Sequence, residues 1–153
     1  MDVVVSWLNR RTTARRVIVV VLVIYLVLLA IALLAPTNTD QSSMVMWLIH
    51  QLLHTGASTH VVTFSRMEFV MNVAIFVPAA FLAALLWPRW NWRDWTAVGF
   101  VVSGCVELTQ ALLLPHRDGS FSDVVSNTLG ALIGALIADG VLLIMRRRRA
   151  PKP

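Results

Sequence analysis

The 153-residue chain is 58% hydrophobic and only 14% charged, with a mean hydropathy of +0.73, which excludes an ordinary soluble domain and indicates a single polytopic membrane domain over residues 1–153. The net charge of +5 would suit nucleic acid in a soluble protein; here the arginines flank apolar runs, so no nucleic-acid partner is expected and the charge reads as membrane orientation. Cys105 has no second cysteine to pair with, which excludes an intrachain disulfide, and it reads as a small core residue inside an apolar segment.

The first predicted element is a span over about residues 17–35, preceded by Arg10, Arg11, Arg15 and Arg16. A basic start before an apolar run also fits a signal peptide cleaved near Ala35. The run has the length of a full span and further spans follow, so it is read as an uncleaved first helix. Pro36 stops it, and Asn38, Asp40, Gln41 and Ser42 make a polar stretch. A helix over about 43–55 follows, with Ser43 as its cap and Gly56 ending it. It is too short to span and carries Trp47, so an outward interfacial or re-entrant helix is expected between the first and second spans. His50 and His54 share a face at metal-ligand spacing, but no further ligands lie nearby, so two interfacial histidines are expected and no metal.

The second span is placed at about 69–86. Glu68 and Asn72 align on one face of it, and Pro78 sits mid-span, where a kink is expected and neighbouring helices can satisfy the carbonyl it frees. Next comes WPRWNWRDW, read as a tight turn whose Trp87, Trp90, Trp92 and Trp95 form an interfacial belt around Arg89 and Arg93. The third span covers about 95–114 and the fourth about 124–145, followed by the basic tail Arg146–Arg149 and Lys152. The fold class is therefore all-α, with four transmembrane helices.

Of the 13 Lys and Arg residues, all but Arg66 and Arg117 fall on one side of these spans. Both termini and the Trp-rich turn are then cytoplasmic, and residues 36–68 and 115–123 face outward. On this topology Glu107 lies roughly 10 Å below the outer end of its helix at 1.5 Å per residue. Gln110, Asn72 and Asn127 also fall in the outer half, and the cytoplasmic half holds no comparable polar groups.

Polar side chains in hydrocarbon are costly and face partners, water or ligand. On the third helix, Ser103 or Gly104, Glu107, Gln110 and Ala111 form a stripe. In a low dielectric Glu107 would take up a proton unless a cation compensates it, and Arg117 or His116 is the natural candidate; it serves either a functional site or a structural knot. In the turn PHRDGSFSD, Pro115 ends one helix and Gly119 permits reversal. Ser120 or Ser122 caps the fourth helix, and Asp123 suits its positive end. Capping alone would account for Asp123. The Arg117 guanidinium suits a carboxylate or a phosphate. On the fourth helix Asn127, Gly130, Gly134 and Ala138 share a face; Gly130 and Gly134 make a GxxxG pair, read as packing within the chain. Asn127 is expected to hydrogen-bond across that contact to Asn72, Glu107 or Gln110.

These residues, in order, resemble the VanZ-like family: NVAIFVPAA (Asn72–Ala80), VELTQ (Val106–Gln110) and HRDGSFSDVVSNTLGALIG (His116–Gly134). The family pattern is an Asn before a Phe-x-Pro motif, an acid and Gln on the next helix, an Arg and Asp in the turn, and Asn-x-x-Gly entering the last helix. Ala80 departs from it, where the family often has Gly. The resemblance covers about residues 66–138. It implies a four-helix bacterial inner-membrane protein and a link to teicoplanin-type glycopeptide resistance, with Glu107, Gln110, Arg117, Asp123, Asn127 and Asn72 matching the family positions.

The expected function is binding without catalysis. An outward polar pocket would engage a lipid-linked cell-wall precursor headgroup or a lipoglycopeptide and alter its availability at the surface, with membrane lipids as surroundings and no cofactor. A membrane hydrolase or transferase, with Glu107 as general acid or base, is the first alternative, although no nucleophile motif is present. A structural subunit of a membrane complex, or a homo-oligomer, is the second.

Overall fold

A computed structural model describes residues 2–34, 39–113 and 120–147 of the chain. Five helices follow in order: α1 (Asp2–Leu34), α2 (Thr39–His54), α3 (Phe64–Leu86), α4 (Trp92–Leu113) and α5 (Phe121–Arg147). Among the described residues, four stretches are long and apolar enough to cross a membrane: Thr12–Leu33 within α1, and the whole of α3, α4 and α5. The chain is an all-helical, multi-pass membrane protein.

The helices exceed the apolar runs at their ends, for local reasons. Helix α1 begins at Asp2 rather than near residue 17, because extending a helix that the apolar run has nucleated is cheap and Leu8, Ala14 and the arginines favour it. Helix α2 begins at Thr39, so Ser43 lies inside it and does not cap it. At its other end Gly56 takes φ 88°, the left-handed conformation that closes a helix C-terminus. The tryptophan turn is shorter than its composition implies, with α4 starting at Trp92 rather than Trp95. Asn91 and Asp94 make a reciprocal capping box: the Arg93 N–H donates to Asn91 Oδ1 (2.8 Å) and the Asn91 N–H donates to Asp94 Oδ2 (2.9 Å). Trp92 and Trp95 are therefore helical, while Trp87 and Trp90 stay in the turn.

The most extensive interface joins α3 to α5, followed by α4 to α5, whereas α1 touches α3 and α4 more sparingly. Small residues explain the ranking. A Cβ on Gly130 would collide with the Val73 carbonyl oxygen, one on Gly134 with the Val77 carbonyl oxygen, and one on Gly99 with the Ala131 Cβ. The GxxxG pair thus lies against the backbone of α3. Ala135 and Ala138 continue the seam fully buried, the close backbone approach that drives helix association where no hydrophobic effect operates. Helix α3 runs unbroken through Pro78. The Tyr25 hydroxyl of α1 donates to the Ile75 carbonyl (2.6 Å), one turn before the proline. A neighbouring helix thus supplies a donor where proline loosens the ladder, at Ile75 rather than at Ala74, whose carbonyl the missing N–H frees. Cys105 is exposed on α4 rather than buried in a core, because the buried face of that helix runs through Gly99, Ser103, Glu107 and Gln110.

Candidate functional site

The buried polar side chains among the described residues lie in the half of the bundle where α3 starts, α4 ends and α5 starts, from its centre at Ser103 outward. Asn72, Ser103, Glu107, Gln110, Ser126 and Asn127 are all buried. Each sits on the face its helix turns inward, because a helix repeats every 3.6 residues. Ser103, Glu107 and Gln110 fall three or four apart on α4. Asn127, Gly130 and Gly134 do so on α5, so the glycines that bring α5 close also fix which way Asn127 points.

Across this end, the Asn72 Nδ2 donates to Asp123 Oδ1 (2.9 Å), joining α3 to the first turn of α5. Glu107 Oε2 accepts the backbone N–H of Ser120 (2.8 Å), the residue that precedes α5. A carboxylate is thereby held at the positive end of α5, where unpaired N–H groups favour negative charge. Asp123 sits in that same first turn, so two acids serve one helix start. Asn127 Nδ2 donates to Ser103 Oγ (2.9 Å), a bond between α5 and α4 in the buried centre. The partner is Ser103, not Asn72, Glu107 or Gln110, because the Gly99–Ala131 contact draws the stretch of α4 around Ser103 toward α5. The other amide atom, Asn127 Oδ1, is buried with no hydrogen-bond partner among the described residues. Gln110 turns from this centre and donates through Nε2 to the Leu33 carbonyl (2.7 Å), fastening the end of α1.

Two members of the sequence stripe on α4 stand apart from it. Gly104 is half-buried, with nothing within 4 Å of where a Cβ would lie, and Ala111 is exposed. His116 and Arg117 lie outside the described residues, as do Pro115 and Gly119. His50 and His54 sit exposed on α2, with their Nε2 atoms 3.0 Å apart and one ring donating to the other. Among the described residues, no group of three or more His, Cys, Asp or Glu could hold a metal ion. Sequence reasoning missed Ser126, Tyr25 and the Ser120 backbone. Ser126, fully buried beside Asn127, donates to the Asp123 carbonyl (3.1 Å) in its own first turn. Tyr25 had a signal: it is the only tyrosine of the chain, set within an aliphatic run.

The family model for VanZ/LLP1 matches residues 17–144, from the apolar start of the first span to the last turn of α5. The chain belongs to the VanZ/LLP1 family. No curated protein and no solved structure matches it. The matched stretch holds every buried polar residue named above, so the polar end and the α3–α5 seam both belong to the part that makes this chain a VanZ/LLP1 protein. What that end can do chemically is accept and donate hydrogen bonds beside two carboxylates, out of bulk water, in a setting that makes each bond more consequential.

Proposed function

We propose that the polar end of this VanZ/LLP1 protein faces outward and binds the head of a lipid-linked cell-envelope precursor or a lipoglycopeptide, changing its availability at the surface without catalysing a reaction. The one-sided placement of Lys and Arg supports that orientation, with both termini in the cytoplasm of a bacterial inner membrane. The association of VanZ-like proteins with teicoplanin-type glycopeptide resistance supports the ligand class. The observation that carries the proposal is Asn127 Oδ1. It is an amide oxygen in a residue 2% exposed, unmet among the described residues, within a cluster that includes Glu107 and Asp123. Leaving such an atom unpaired costs roughly 1–3 kcal/mol, which a hydroxyl, amide or ammonium on the ligand offsets. Arg117, in the connection between α4 and α5, would contact the anionic part of the same head.

The test compares Asn127→Ala, Glu107→Gln and Arg117→Ala with the parent protein at matched membrane levels. Native mass spectrometry reads retained lipid-linked precursor, and growth assays read glycopeptide sensitivity. Loss of both is expected, and three variants indistinguishable from the parent in both would end the proposal.

A second reading, a purely structural clamp, is favoured by the fact that Asn72, Ser103, Glu107, Gln110 and Asp123 all hold partners on other elements. Under it, the same variants lower thermal stability while retained lipid and sensitivity stay put.

A further inference from the structure

A groove of about 620 Å³ runs between α1, α3 and α4, from Trp87, Trp90 and Trp95 at one end to Leu33, Phe76 and Val106 beside the polar cluster at the other. Its walls are apolar throughout, with Leu22 and Leu29 from α1, Ala83 from α3, and Trp95, Val102 and Val106 from α4 among them. That volume lies within the range of small-molecule sites, roughly 300–1,000 Å³. Alanine at positions 30, 79 and 83 leaves room that leucine or phenylalanine would close. We infer that this groove holds one acyl chain of an anionic phospholipid whose headgroup rests at the turn Trp87–Trp95.

Three observations converge on that occupant. The first is depth. From Trp95 to Val106 a helix rises roughly 16 Å at 1.5 Å per residue, which is about half of a ~30 Å hydrocarbon core and so the depth of one leaflet. All three walls belong to membrane-spanning stretches, so hydrocarbon rather than water is the medium that fills the space.

The second is charge. Arg89 in the turn and Arg93 in the first turn of α4 both stand exposed where the groove closes, Arg93 lying 5.1 Å from the ring centre of Trp92. The one acid of this stretch, Asp94 in the first turn of α4, accepts the Asn91 N–H in the capping box. A phosphate at this depth meets guanidinium groups and tryptophan rings suited to the headgroup level.

The third is an unmet donor. Trp90 and Trp95 lie 5.1 Å apart between ring centres with their planes tilted, and Trp87 lies 6.2 Å from Trp95, all three lining the groove end. The Nε1–H of Trp95 is buried with no acceptor among the described residues. The ester oxygens of a lipid seated here supply one. Helix α1 keeps the groove walled without filling it, because the hydrogen bonds described for it, Tyr25 to Ile75 and Gln110 to Leu33, hold it at fixed points.

This site is independent of the ligand proposed at the polar end, and its test leaves that ligand aside. The full-length protein is reconstituted in vesicles of phosphatidylethanolamine and phosphatidylglycerol containing a trace of phosphatidylglycerol with a diazirine midway along one acyl chain. After irradiation, adducts are mapped by peptide mass spectrometry. The expected result is labelling of Ala79–Ala83 and Val98–Val106 about tenfold above that of the exposed Leu136 and Ile137 on α5, equivalent to one decade in occupancy. Ala83→Phe, or Val102→Phe from the facing wall should the first fail to fold, abolishes that excess and leaves α5 labelling unchanged. In the Arg89→Gln, Arg93→Gln double variant, the preference over a phosphatidylethanolamine probe with the same chain disappears. Uniform labelling of the parent, labelling unchanged in folded groove-filling variants, or a headgroup preference that survives the loss of both arginines would each overturn the inference. Glu107→Gln should leave the groove labelling intact, so the two sites fail separately.

Discussion

Along the seam between α3 and α5 the helices meet backbone to backbone, whereas along the α1 flank they stand apart around an apolar groove. At the seam Gly130 and Gly134 leave no room for a methyl group against Val73 and Val77. On the flank, only 6% of the most apolar window of α1 is buried within the protein, and the hydrogen bonds of Tyr25 and of the Leu33 carbonyl tether it. Both arrangements follow from the same solvent. Hydrocarbon gives helices no hydrophobic reason to associate, so contact comes either from close van der Waals packing or from specific polar ties. Helices α3, α4 and α5 rest on the first, reinforced by the Asn72–Asp123 and Asn127–Ser103 bonds, and form the scaffold that positions the polar end. Helix α1 uses the second and leaves space for lipid.

The contrast breaks most readily at the seam. Gly134→Leu should destabilise the protein by about 3 kcal/mol or more, since the added side chain meets immovable backbone; unfolding in detergent followed by tryptophan fluorescence measures it. A loss under about 1 kcal/mol, the range of volume-tolerant sites, would show that α3 and α5 can slide apart. Next in size is the buried bond between α4 and α5. Ser103→Ala should cost about 1–2 kcal/mol, within the range of interhelical hydrogen bonds in membranes, and Asn127→Ala somewhat less, because it also removes the unmet oxygen. The reverse order would mean that Asn127 Oδ1 has a partner in the membrane.

On the flank the effects should be smaller and local. Tyr25→Phe and Gln110→Leu are each expected to cost about 0.6 kcal/mol while raising amide hydrogen exchange in α1 alone. Exchange that rises equally in α5 would show α1 to be part of the scaffold. The smallest change tests the boundary of the seam itself. Gly104→Ala, half-buried on α4 but with open space beyond its Cα, should be neutral or stabilising by roughly 0.5–1 kcal/mol through helix propensity. The same substitution at Gly130 should destabilise, which distinguishes a packing glycine from an incidental one.

Much of this architecture was legible in the chain before any coordinates. The polar residues that matter were visible because Glu107, Gln110 and Asn127 interrupt apolar runs where their presence is expensive. The glycine pair was visible from its spacing. The missed features share a cause. Tyr25 and Gln110 act on main-chain carbonyls, and a carbonyl leaves no mark in the sequence. Glu107 meets the backbone N–H of Ser120, which any non-proline residue would have offered. Cys105 looked like core because its segment is apolar, yet apolar residues in a membrane span face lipid as readily as protein.

The linear chain determined four spans and a pronounced charge asymmetry, because in hydrocarbon each backbone polar group must be satisfied inside its own helix and hydropathy then marks the span directly. Tertiary structure alone decided that Asn127 meets Ser103, that Asn72 meets Asp123, and that a lipid-sized groove opens beside α1. Those outcomes depend on how far each helix is rotated about its axis and how closely neighbours approach. The contacts at Gly99, Gly130 and Gly134 set both quantities jointly, and no local spacing encodes them.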